Sequence, residues 1–280
     1  LDYPVNNILF KNDSILIIPT EDDIIEFNLN TKDISSFYQN DKTYGNRPSL
    51  LDSDNNLWFH APRSSVLSKM NIETKKTETV EISFMESIAE DNDFIWTSEE
   101  LTYIDKQTMT LHSTNDLLKS MGRDTLTNSV VYEIEVLKDG NVILGSATHG
   151  LYEYNPNDTA LIHYDGLNFE VGKLSSSAIT NFKESDFSNR VYIATSENLN
   201  IWDRDNNTFS YVNQRDGLIG RVLSMAEDLE GNLWVLSSQA MHKIVNNKVI
   251  ARYGQSYDLN GMVDRIDPIM VRDKEGYIYF

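Results

Sequence analysis

The chain has 280 residues, of which 40% are hydrophobic, and it carries a formal net charge of −19 with no cysteine at all. That charge excludes the basic stripe a nucleic-acid surface needs to neutralise phosphates, and it opposes docking on anionic membranes. The missing cysteines exclude disulfides, thiolate metal sites and a cysteine nucleophile, and no apolar run approaches the ~18 residues of a transmembrane helix. Leu1 is not preceded by a Met or a signal-peptide pattern, and Phe280 falls inside a strand pattern. The chain is therefore expected to be a segment of a longer protein.

A repeat runs through the sequence. Its clearest copy is Met225 to Val235, an apolar strand end, an Asp-x-x-Gly-Asn turn, and a strand with Trp between two aliphatics. Weaker copies lie at Leu50–Phe59 and Met270–Phe280. Aligned on the aromatic of the second strand, the equivalent positions are Leu16, Trp58, Trp96, Ile143, Tyr192, Trp234 and Tyr279, spaced 42, 38, 47, 49, 42 and 45 residues apart. A period of this length matches a four-stranded propeller blade.

Downstream of each aromatic comes an aliphatic, two variable residues, a bulky apolar residue and usually Asn or Asp. Ile24–Asn28, Leu67–Asn71, Leu101–Asp105, Leu151–Asn155 and Leu199–Asp203 follow this rule, whereas Met241–Val245 ends on Val. The pattern predicts a third strand closed by an Asx turn, whose short polar side chain bonds its own backbone. Fourth strands are expected at Ile34–Tyr38, Thr77–Val80, Met109–His112, Ala160–Tyr164, Phe209–Val212 and Val249–Tyr253. Innermost strands are expected at Val5–Phe10, Ser49–Leu51, Ser87–Ala89, Val130–Val136, Ile179–Phe182, Val222–Ala226 and Ile269–Val271. Short strands at even spacing indicate antiparallel meanders. No segment sustains a 3.6-residue period with caps, apart from a helical turn expected at Asn115–Met121.

The fold class expected is all-β, a seven-bladed β-propeller. Blades fall at roughly 1–40, 41–81, 82–125, 126–172, 173–215 and 216–258, with a partial seventh at 259–280. Ring closure, which removes sheet edges, argues for a seventh blade completed by strands beyond Phe280.

The repeat resembles the two-component regulator propeller family. Glu227-Asp228-Leu229-Glu230-Gly231-Asn232-Leu233-Trp234-Val235 carries its turn and second strand, and Asp216-Gly217-Leu218 stands at its upstream loop. Gly145-Ser146 and Gly150-Leu151-Tyr152-Glu153-Tyr154-Asn155-Pro156 form the second-best unit, with Asn128-Ser129-Val130 leading into it. The turn of that unit departs from the pattern, because Asp139 directly precedes Gly140. Units one, three and five lack the turn Gly, and unit two has Asn55 there. The resemblance implies the sensor region of a hybrid two-component histidine kinase, periplasmic, and notable in gut Bacteroidetes for regulating polysaccharide use. It implies that kinase, receiver and DNA-binding domains lie elsewhere in the parent chain, and that the parent works as a homodimer beside a neighbouring propeller.

Asp52-x-Asp54-x-Asn56 and Asp203-x-Asp205-x-Asn207 look like calcium loops but lack the Gly at the sixth position and the Glu at the twelfth. They are assigned to hairpin geometry, and no metal or cofactor is expected. The second-strand aromatics are assigned to the wedge between splayed blades. No nucleophile elbow, phosphate loop or His-Glu-x-x-His helix occurs, so no catalytic residue is assigned. Ligand contacts are expected from loops on one face of the ring, where Asn46, Arg47, His60, Arg63, His149 and Arg221 are the candidate residues. The function expected is non-catalytic oligosaccharide sensing by differential binding. A glycan-active lyase or glycosidase and a pure interaction scaffold are the alternatives.

Overall fold

The computed structural model describes residues 7–20, 23–39, 49–60, 65–82, 85–98, 101–120, 131–166, 172–254 and 270–279. These residues form six four-stranded sheets, each with its strands hydrogen-bonded in chain order, and one two-stranded sheet. Blades one to six span 9–39, 49–81, 88–113, 131–164, 179–212 and 222–253. The chain divides into two compact units, Leu1–Thr127 with Ile134–Val136, and Asn128–Glu133 with Leu137–Phe280.

Seven blades are not what the chain builds. The fold is a six-bladed β-propeller, and the last repeat copy is a hairpin of Val271–Arg272 with Ile278–Tyr279. The period counts turn motifs, but a blade requires four paired strands, and among the described residues this copy supplies two short ones around the turn. The predicted helical turn is a short helix, Thr114–Ser120. The fourth strand of blade three starts at Leu111, two residues later than expected. Met109 is taken up by the preceding turn at φ 57°.

The Asx turns form as the sequence implies. Asn28 accepts the N–H groups of Asn30 and Thr31, and Asn71 those of Glu73 and Thr74. Asp105 accepts those of Gln107 and Thr108. Blade six, which has Val245 instead, turns through Asn246 and Asn247 alone, both at positive φ, as a two-residue hairpin of the primed type demands.

The inner turns are held by one carboxylate doing two jobs. In blade two, Asp52 Oδ1 accepts the N–H of Asp54 at 3.0 Å and of Asn56 at 2.7 Å, while Oδ2 takes the Trp58 indole N–H at 2.8 Å. Asp91 holds Trp96 at 2.6 Å, Asp228 holds Trp234 at 3.0 Å, and Asp273 takes the Tyr279 hydroxyl at 2.9 Å. The aromatics also fill the wedge expected of them. Trp58 packs with Leu67 of its own blade and with Ile88, Ile95 and Ile104 of blade three. Tyr192 joins Leu199 and Ile201 to Met225 and Val235 of blade six. A lysine on the third strand covers the outer ring face in two blades, Lys69 over Trp58 at 5.6 Å and Lys243 over Trp234 at 5.3 Å.

Replacing Trp58 with Phe keeps the wedge but removes one of the two hydrogen bonds to Asp52 Oδ2, leaving only that of the Asn56 side-chain amide at 3.0 Å, on a residue 4% exposed. The expected loss is about 1.5–3 kcal/mol, read from the urea midpoint. A loss under ~0.5 kcal/mol would show that the indole acts by packing alone.

Candidate functional site

Two faces offer polar groups, and they are built differently. The expected ligand face comprises the loops into the innermost strands and the loops joining second to third strands. Of the six candidates, Asn46, Arg47 and Arg63 lie outside the described residues. His60 ends the second strand of blade two and is only 1% exposed. His149 is exposed, shares a 2.8 Å hydrogen bond between its Nδ1 and Thr148 Oγ1, and is anchored by its N–H to Ser146 Oγ. Arg221 is also exposed, and its backbone is clasped to Ser238 in both directions. Among the described residues no hydrogen bond or ion pair joins His149 to Arg221.

Beneath that face lies a feature that the spacing did not reveal. Asn200 and His242 occupy the same repeat position, the second residue of the third strand, and both are 0% exposed. Each accepts a backbone N–H from the loop entering its own blade, Asn200 Oδ1 from Ser175 at 3.0 Å and His242 Nε2 from Ile219 at 3.2 Å. Their signal was a polar residue directly after the aliphatic that opens the third strand. Since Nε2 accepts, the imidazole is neutral with its proton on Nδ1.

The turn face is organised by glutamate. The residue before the turn Asp reaches the preceding blade's turn. Glu90 accepts the Ser53 N–H at 2.9 Å and hydroxyl at 2.7 Å, and is paired with Lys106 at 2.9 Å. Glu227, 1% exposed, accepts the Asp186 N–H at 2.5 Å, the Ser185 hydroxyl at 2.8 Å and the Tyr192 hydroxyl at 2.9 Å. Burial, then the charge and hydrogen bond of Glu227, push the Tyr192 phenol far above its ordinary range. At Asp228, burial acts upward, but the hydrogen bonds from Asn232 and Trp234 outweigh it and hold the carboxyl well below its ordinary range.

Between blades four and five the seam is different. Leu137 stands where blades two, three, five and six have the turn Asp or Ser, and Ile143 where they have Trp or Tyr. Arg204 adds a second tie across this seam beside that of Glu184, with Nη1 on Asp139 at 2.8 Å and Nη2 on Glu153 at 2.7 Å. Asn141 and Tyr164 complete the coordination of the buried Glu153. The guanidinium lies 5.1 Å from the Trp202 ring centroid. Beside it opens a cleft of about 430 Å³, lined by Lys138, Asp139, Glu184, Phe187, Ser188, Asn189 and Arg204. Glu184 accepts the Lys138 N–H at 3.0 Å, and burial raises its carboxyl above the ordinary range. Among the described residues, no group of three or more His, Asp or Glu is placed to hold a metal.

No protein-family model matches the sequence, and no curated protein matches it. Solved structures do match in fold. One is the extracellular domain of the hybrid two-component system BT3049 from B. thetaiotaomicron, with TM-score 0.79, 22% identity, and coverage of 100% of this chain and 38% of that one. Another is the corresponding domain of BT4673 from the same organism, with TM-score 0.76, 16% identity, and coverage of 99% and 36%. The chain thus spans little more than a third of those ectodomains. A streptogramin B lyase matches with TM-score 0.75, 11% identity, and coverage of 99% and 91%. At these identities the likeness is one of fold, which carries both sensors and lyases. No helix among the described residues is long and apolar enough to cross a membrane.

Burial pushes the His242 pKa below its ordinary 6.5, Val235 and Ala240 carbonyls opposing and Arg252 assisting. A base whose folded pKa is depressed takes up its proton more readily when unfolded, so its contribution is intact above about pH 6.5 and is lost as pH falls below that. Urea midpoints of the wild type are expected to drop from about pH 7.5 to about pH 5.5, and His242→Gln to drop by less. An equal drop in both would remove His242 from the acid sensitivity.

Proposed function

We propose that this chain is an extracytoplasmic sensing propeller of a hybrid two-component histidine kinase, periplasmic and without catalysis of its own. The observation that carries this reading is the match of the whole chain to one propeller-sized part of two such extracellular domains. The repeat at Glu227–Val235 supports it from the sequence side. In this reading the ligand is an oligosaccharide, the parent receptor is a homodimer, and a neighbouring propeller of the same chain shares the ectodomain. The loops assigned to Asn46, Arg47, Arg63, His149 and Arg221, next to the strand end at His60, are its first candidate surface. Signalling follows from differential affinity: a ligand that favours one arrangement of the receptor dimer biases the distant kinase by that difference in binding free energy.

The lyase alternative rests on the equally long match to streptogramin B lyase. Titration calorimetry of the purified chain against defined oligosaccharides, with product analysis of the same samples and of a streptogramin B incubation, separates the readings. Binding without turnover is expected. Cleavage of any glycan or of the streptogramin would overturn the non-catalytic assignment. Silence of the chain, while the parent receptor's transcriptional output still follows sugar, would move sensing to another part of the receptor.

A further inference from the structure

Three large apolar side chains stand in solvent on consecutive turns of the second compact unit: Phe187 in blade five, Leu229 in blade six and Tyr277 in the hairpin that follows. They are 52%, 52% and 64% exposed. Closing these turns does not call for them. Ser185 Oγ accepts the N–H groups of Phe187 and Ser188, Asp228 those of Glu230 and Asn232, and Asp273 those of Glu275 and Tyr277. The turns interlock through glycine. A Cβ on Gly231 would meet the Phe187 ring at 3.5 Å, and one on Gly276 would stand 2.8 Å from Leu229 Cδ1. Each turn thus lays bare backbone against the apolar side chain of the turn before it, which joins the three into one stripe. Its exposed area is roughly 300 Å², a size at which an apolar patch on a monomer is often functional. Phe187 also lines the cleft of about 430 Å³, so the stripe ends in a depression.

Charge decides what covers the stripe. On these turns and at the cleft the exposed acidic residues are Asp139, Asp186, Glu230 and Glu275, against the exposed Lys138 and Lys274. Lys138 is already seated on the Ser185 carbonyl. The other cations here are covered. Arg204, Arg272, Lys243 and Lys183 have side chains 10%, 18%, 22% and 29% exposed, and each is paired with a carboxylate. Such a rim repels an anionic membrane and, in a chain of net charge −19, a second copy of itself. It complements apolar side chains flanked by Lys or Arg.

We propose that the turn face of blades five and six and the following hairpin docks another polypeptide, through a ridge of apolar side chains flanked by Lys or Arg. The stripe supplies the burial, with Phe187 at its cleft end, and the exposed carboxylates steer and select the partner. This surface lies apart from the loops to which ligand contacts were assigned, and it stands whether or not the chain senses a sugar. Nitrogen-15 correlation spectra of the whole chain locate binding at the amides of Phe187, Ser188, Glu230 and Tyr277. The probes are three blocked hexapeptides, alternating Leu with Lys, Ser with Lys, and Leu with Glu. The Leu/Lys peptide is expected to shift the four amides together and to bind at least ~10-fold more tightly than either of the others. Phe187→Ser and Leu229→Ser, both at exposed positions, should each weaken it ~10-fold while leaving the circular dichroism spectrum unchanged. Glu230→Lys should weaken the Leu/Lys peptide and strengthen the Leu/Glu one.

The assignment falls if no peptide moves these amides, or if the two serine variants bind as the wild type does. Equal binding of the Ser/Lys peptide would reduce the contact to charge attraction, and equal binding of the Leu/Glu peptide would remove the acidic rim from it. Either result overturns the proposal. Sedimentation of the chain alone adds one more outcome: a dimer that Leu229→Ser dissolves would give the stripe to a second copy and overturn the basic partner.

Discussion

The dipeptide Glu227-Asp228 holds two carboxylates with opposite allegiances, and the blades depend on that division. Glu227 faces backwards and satisfies the turn of blade five through three donors. Asp228 stays at home, closing its own turn through Asn232 and pinning its own Trp234. Either carboxylate would be costly to bury alone, so each is tolerable only because its donors are supplied by fixed backbone and aromatic groups. Glu90-Asp91 repeats the arrangement in blade three, with Lys106 as an added counter-charge. Serine does a similar job on the innermost strands, where Ser87 accepts the Ile134 N–H and Ser224 the Met270 N–H.

This division explains what was legible beforehand. Local rules were readable because each is enforced within a few residues. An Asx side chain reaches only its own turn, and the strand alternation follows from the pleat. Asn55 in place of the turn Gly was readable too, since its φ of 61° is the left-handed region Asn tolerates. The blade number was not readable in this way. Tyr279 has its turn Asp273 and its Gly276 as Trp234 has Asp228 and Gly231, yet nothing in those residues states how many strands will pair beside them.

The site was less legible than the fold, for a physical reason. Candidate residues were taken from the loops of one ring face, but a loop position in the sequence does not say which way a side chain points. His60 was expected on a loop and is a buried strand end, whereas His242 was not among the candidates and is a fully buried acceptor. The Glu that ties neighbouring blades shows no local sign of that role, because its partners lie about 40 residues away, at Ser53 or Asp186.

The cleft follows from the same interaction by its failure. At the seam of blades four and five, Leu137 supplies no carboxylate for the turn and Ile143 no indole or phenol for a carboxylate to hold. The chain closes that seam from the other side, with an arginine reaching back from the outer turn of blade five to Asp139 and Glu153. A guanidinium has five N–H donors in a fixed fork, and two carboxylates approaching its ends leave the middle Nε–H facing neither. An Asp–Trp brace uses up its polar groups, whereas an Arg fork leaves one over. In blade four, which lacks the usual brace, a buried donor and an open volume coincide, and that coincidence comes from substitutions too far apart in the chain for any single motif to display.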